Sequence, residues 1–110
     1  MLLSTDVWVG ALIRRAEIAG AFAAVARKGD PRAGAVLVKA VNRSDGTCRL
    51  YAQAIGAAGE QIWMQPVAST SEADLDAYAE RSRRIDPDIW VVEIEDREGR
   101  HFLTETVEKG

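Results

Sequence analysis

The run "AGAVLVKAV", residues 33–41, constrains the fold more than any other segment. It is apolar on both faces and rich in Val, which is the pattern of a strand buried in the interior of a sheet. Turn chemistry brackets it. Gly29-Asp30-Pro31-Arg32 precedes it, and "NRSDG" follows with Asp45-Gly46, a pair suited to positive φ.

The neighbouring segments supply the rest of a sheet. "AFAAVARK" reads as a short strand before the turn. "TCRLYAQAI" reads as a half-buried strand after it, with Cys48, Leu50, Ala52 and Ala54 alternating against Arg49, Tyr51, Gln53 and Ile55. "QIWMQPV" is a further short strand that Pro66 confines to an edge or an end. "IWVVEIEDREGRHFL" has the form of a hairpin, with Trp90, Val92 and Ile94 on one face and Glu93 and Glu95 on the other. It echoes the hairpin around Asp45-Gly46. The tail "TETVEKG" is expected to fray.

Two segments have helical periodicity. From about Asp6 to Ala19, Trp8, Val9, Leu12, Ile13, Ala16 and Gly20 form a broad apolar face. Ser4 or Thr5 is the expected cap and Gly20 the expected stop. "STSEADLDAYAERSRR" is a surface helix with a thin stripe of Leu75, Tyr78 and Ala79; Ser69 and Glu72 are spaced as a capping box. Asp86, before Pro87, ends it. The order along the chain is therefore α-β-β-β-β-α-β-β. Short connections between strands predict an α+β fold in which an antiparallel sheet of about six strands is packed by two helices.

Composition fits one soluble domain over residues 1–110: 47% hydrophobic, 28% charged, net charge −3, with no segment apolar enough to span a bilayer. A single Cys and no basic leader predict a cytoplasmic protein without disulfides. The charge is unevenly spread. Residues 1–55 hold 8 Lys/Arg against 4 Asp/Glu, and residues 56–110 hold 6 against 13.

Three constellations could carry chemistry. The first is a sheet face bearing Arg49, Tyr51, Gln53, Trp63 and Gln65, with Lys39 beside them. Aromatic rings interleaved with guanidinium and amide groups suit a stacked planar ligand or a single-stranded nucleic acid. The second is the acidic hairpin, where Glu93 and Glu95 share a face and could converge on a hard cation such as Mg²⁺, as a metal-assisted hydrolase requires. The third is a nucleophile pair of Cys48 and His101, which works only if the fold joins two distant strands. The spacing of these groups fits no zinc, phosphate-loop or nucleophile-elbow motif, so no cofactor is expected. A small non-enzymatic module that binds itself or another protein is the leading expectation. A nucleic-acid binder and a hydrolase are the alternatives.

Gly29-Asp30, Ala33-Gly34-Ala35, Val38-Lys39 and Asp45-Gly46, followed by Asp86-Pro87-Asp88 through Trp90 and Glu93-Glu95-Asp96 into Gly99-Arg100, carry a resemblance. Across Val7 to Leu103 the chain resembles an uncharacterised, mostly alphaproteobacterial family, domain of unknown function number 1491. The resemblance implies a cytoplasmic single-domain protein and brings no activity or catalytic residue with it.

Overall fold

The computed structural model describes residues 3–108. Along the chain lie α1 (Thr5–Ile18), β1 (Phe22–Arg27), β2 (Val36–Asn42), β3 (Cys48–Ile55), β4 (Gln61–Met64), α2 (Glu72–Ile85), β5 (Trp90–Asp96) and β6 (Val107–Glu108). The six strands form one sheet in the order β1-β5-β2-β3-β4-β6.

The element order matches the sequence expectation, but the sheet is mixed. β1–β5, β2–β3 and β3–β4 are antiparallel, whereas β2–β5 and β4–β6 are parallel. Burial explains the difference. β2 and β5 both carry apolar side chains on two faces, and such strands gain most by lying side by side at the centre. The long excursion through β3, β4 and α2 returns the chain in the direction parallel pairing needs.

The second hairpin does not form. With β1 and β2 on its two sides, β5 has no free edge to receive a returning strand. Residues 97–100 are instead folded over Asp96. Its Oδ2 accepts the Glu98 and Arg100 N–H groups and Arg100 Nε, while Oδ1 accepts Arg100 Nη2 at 2.8 Å. This turn docks on the β2–β3 turn through Arg43 N–H to Asp96 O and Ser44 Oγ to Arg97 O. The supposed frayed tail then crosses to the far edge and becomes β6; Lys109 and Gly110 lie outside the described residues.

The helices cover opposite faces. Val9, Leu12 and Ala16 of α1 pack with Val36, Val38, Ala40, Tyr51, Trp63, Trp90, Val92 and Ile94. Leu75 and Ala79 of α2 pack with Leu37, Cys48, Leu50 and Val91 on the other side. Ser4 stands at the N-cap position of α1 as expected, but neither it nor the α2 cap makes a side-chain bond to a helix N–H. Ser4 Oγ donates to Asp6 Oδ1 and Thr5 Oγ1 to Gly34 O, while α2 begins after Ser71 and Ser69 Oγ donates to Asp74 Oδ2. Gly20 does end α1, with φ at +91°.

The loop before β2 has no room for side chains at two glycines. A Cβ on Gly29 would overlap Asp88 O and the Trp90 ring, and one on Gly34 would overlap Asp88 O. Asp88 O is fixed there by the Asp30 N–H at 3.0 Å, and Asp30 O accepts Trp90 Nε1 at 2.7 Å.

Candidate functional site

The alternation of β3 puts Arg49, Tyr51 and Gln53 on one face, and Gln53 pairs with Trp63 of β4. This is the α1 face. Arg49 is exposed, but Tyr51 is 4% and Trp63 0% exposed, so the two rings are core and form no bare platform. Lys39 is on the opposite face, opposite Leu50, because it sits one residue out of phase with the α1-facing Val38 and Ala40. Its grouping with Tyr51 and Trp63 is therefore corrected.

An arrangement of buried and half-buried rings takes the platform's place. The Trp8 and Trp63 rings stack with centroids 5.4 Å apart and planes at 23°. Trp63 Nε1 donates to Glu105 Oε1 at 3.0 Å and Trp8 Nε1 to Glu105 Oε2 at 3.4 Å. Glu105 thus satisfies the polar atom of a tryptophan that has no access to water. Tyr51 meets His101 edge-on at 4.9 Å. His101 Nδ1 accepts the Leu103 N–H at 2.9 Å, and burial lowers its pKa, which keeps the ring neutral and the acceptor available. Arg15 is more than a solvated charge: its Nε and Nη2 both donate to Phe102 O, at 3.1 and 2.9 Å, and hold a residue with φ of +60°.

On the α2 face, Lys39 Nζ lies 2.8 Å from Glu72 Oε2, 2.8 Å from Asp76 Oδ1 and 3.4 Å from Glu93 Oε2. Burial alone would push the ammonium pKa down. The hydrogen bonds from Asp76 and Glu72 and the charge of Glu93 outweigh it and raise the pKa above the ordinary lysine range. A lysine held protonated in this way is an anchor for α2, with no lone pair for nucleophilic work. Glu93 therefore already faces a cation. Glu95, two residues on, sits between Phe22 and Val41. Among the described residues no three His, Cys, Asp or Glu side chains gather as a metal ion requires. A cavity of about 430 Å³ opens beside Lys39, bounded also by Arg27 and Glu80.

The sheet also separates the possible nucleophile pair. Cys48 is buried on the α2 face, where desolvation raises its pKa, and His101 contacts Tyr51 on the α1 face. Part of the uneven charge is paired across the fold. Arg27–Glu80 and the three Lys39 contacts each join a basic group of the first half to a carboxylate of the second.

Two further surfaces are exposed among the described residues. One is the outer edge of β1, at the end of the sheet. Phe22 is 55% and Val25 39% exposed there, and no charge occurs from Phe22 to Ala26. The other is a cleft of about 670 Å³ on the α1 side, where β2 begins, bordered by Trp8, Gln53 and Glu105. Glu105 and Trp8 escaped the sequence reading as site residues. The alternating Thr104-Glu105-Thr106-Val107 was the available signal of an ordered extended segment.

The family described as "Protein of unknown function (DUF1491)" matches residues 3–104. No curated protein matches the chain. Among solved structures, a DUF1491 family protein from Caulobacter crescentus CB15 is 76% identical. Its crystal structure covers 97% of this chain and 100% of its own, with a TM-score of 0.95, and an NMR structure from the same source gives 0.91 over 98% of each. A solution structure of an A. tumefaciens protein is 38% identical over 98% of each chain, with a TM-score of 0.82.

Proposed function

The chain belongs to the DUF1491 family, a family described only as being of unknown function, and from that premise we propose a non-enzymatic, self-associating module. Two copies join along β1 in an antiparallel pair, extending the sheet through a twofold axis. The observation that carries this reading is the uncharged, apolar outer edge of β1. Edge strands offer a row of unpaired N–H and C=O groups, and soluble proteins usually guard them with charge, proline or a covering segment. From Phe22 to Ala26 this edge has neither charge nor proline, and its one irregularity is a register shift between Val25 and Arg27.

Charge placement supports a second copy as the partner. Arg27 closes one end of β1, and Phe22 at the other end lies beside Glu95 of β5. A twofold axis through the strand's middle brings Arg27 of each copy towards the Phe22–Glu95 end of the other. The solvent-exposed Arg27–Glu80 pair is weak enough to yield to that contact. A six-residue strand is only about 20 Å long, so the interface falls at the small, reversible end of the range.

Sedimentation velocity from about 10 µM to 1 mM tests the proposal, since weak strand pairing belongs in that affinity range. The expected result is a sedimentation coefficient that rises with concentration and a Phe22→Lys variant that stays monomeric with an unchanged circular dichroism spectrum. A wild-type monomer throughout would overturn it. So would a dimer that Phe22→Lys leaves intact.

A further inference from the structure

The cleft where β2 begins contains a piece of β3 that is paired with β4 on one side and has no strand neighbour on the other. The β2–β3 ladder ends at Leu37↔Ala52, and beyond it the Val36 N–H donates to the Gln53 side-chain Oε1 at 3.0 Å. β3 runs on to Ile55. Hydrogen-bond parity fixes which way Ile55 points. Gly56 N–H donates to Glu60 O, so Gly56 and Ala54 face β4, and the Ile55 N–H and C=O face the side that β2 has vacated. Among the described residues nothing bonds to them. Apolar side chains flank this overhang: Leu3 and Ile55 are 57% and 74% exposed, and half-buried Trp8 forms a wall held by Glu105.

We propose that this cleft binds a short, uncharged, extended peptide segment of a partner protein. The segment adds to the β3 overhang by main-chain hydrogen bonds to Ile55 and places an apolar side chain between Trp8 and Leu3. Three features carry the choice of occupant. The open groups are one donor and one acceptor in strand geometry, which is what a peptide unit complements. The adjacent walls are apolar and aromatic, which suits a side chain rather than a sugar or phosphate. The two charges on the rim, Arg32 and Glu105, are opposite and cancel, so a neutral segment is favoured over an acidic or basic one. The site is far from β1 in the strand order and is independent of self-association.

The test is a titration of the ¹⁵N-labelled full chain with acetyl-Thr-Val-Leu-Val-Thr-amide, followed by amide and indole resonances. Saturable shifts at the Ile55 amide and the Trp8 indole are expected, with affinity in the millimolar range for so short a probe. Ile55→Asp, a change at an exposed side chain, should weaken binding about tenfold while other resonances stay in place. Shifts confined to Phe22–Arg27, or no shifts up to the solubility limit of the probe, would overturn the proposal. Shifts unaffected by Ile55→Asp would do the same.

Discussion

Replacing Lys39 with methionine keeps the aliphatic stem in the α2 face and removes the ammonium that three carboxylates share. The cost can be worked from the contacts. The 2.8 Å hydrogen bonds to Glu72 and Asp76 are charge-assisted, but both carboxylates are about half exposed, so each is discounted to about 1 kcal/mol. Glu93 is 30% exposed and would face Glu72 and Asp76 with no cation between them, adding about 1 kcal/mol. Relief of the desolvated ammonium returns about 1 kcal/mol. The net loss is about 2 kcal/mol. With a urea m-value of about 1.5 kcal/mol/M the midpoint falls by about 1.3 M, and the melting temperature by about 10 °C. Because the Lys39 pKa is raised by folding, its contribution is complete below about pH 10.4 and is lost only as pH climbs through the higher folded value. The difference between wild type and variant is therefore flat from neutrality to about pH 10. Adding Glu93→Gln to Lys39→Met should recover part of the loss, since the two changes are coupled. A Lys39→Met protein as stable as wild type, or additive effects in the double variant, would refute the idea that Lys39 pins α2 to the sheet.

Other consequences are equally measurable. Glu105→Ala removes the acceptor of the buried Trp63 indole N–H and should cost about 2 kcal/mol, with a changed tryptophan emission spectrum as the direct readout. Gly34→Ala must displace the fixed Asp88 carbonyl and should cost about 2–3 kcal/mol in urea unfolding, whereas Gly10→Ala, on an open helix surface, should be neutral or stabilising. The Asp96 pKa is depressed chiefly by the Arg100 hydrogen bonds, so its stabilisation is present above about pH 3.9 and fades as pH falls below that value. Asp96→Asn should therefore flatten the acid limb of the stability–pH curve and cost about 1.5 kcal/mol at neutrality.

The sequence was most informative where a residue's role is local. The periodicity of Val9, Leu12 and Ala16 located α1, the two-faced run at Val36–Ala40 identified a central strand, and Pro87 marked the end of α2. Strand adjacency was not legible, because β5 shows that it is buried on both faces without showing which strand flanks it. Placing β5 between β1 and β2 removed the expected hairpin and sent residues 101–108 to the opposite edge. The same non-local step hid the site residues. Glu105 matters because it reaches Trp63, 42 residues earlier in the chain, and Arg15 because it reaches Phe102, 87 residues later. The alternation of β3 did group Arg49, Tyr51 and Gln53 correctly on one face. What alternation could not reveal is that α1 and the C-terminal segment close over the rings, leaving Gln53 at the rim of the cleft.

Pairing along β1 is tested most directly by isotope-filtered nuclear Overhauser spectroscopy on an equal mixture of ¹³C,¹⁵N-labelled and unlabelled chains at high concentration. Antiparallel pairing through the strand's middle predicts intermolecular Hα–Hα cross-peaks among residues Phe22–Arg27, absent in Phe22→Lys. Intermolecular cross-peaks from α2 or the cleft alone, with none from β1, would contradict it.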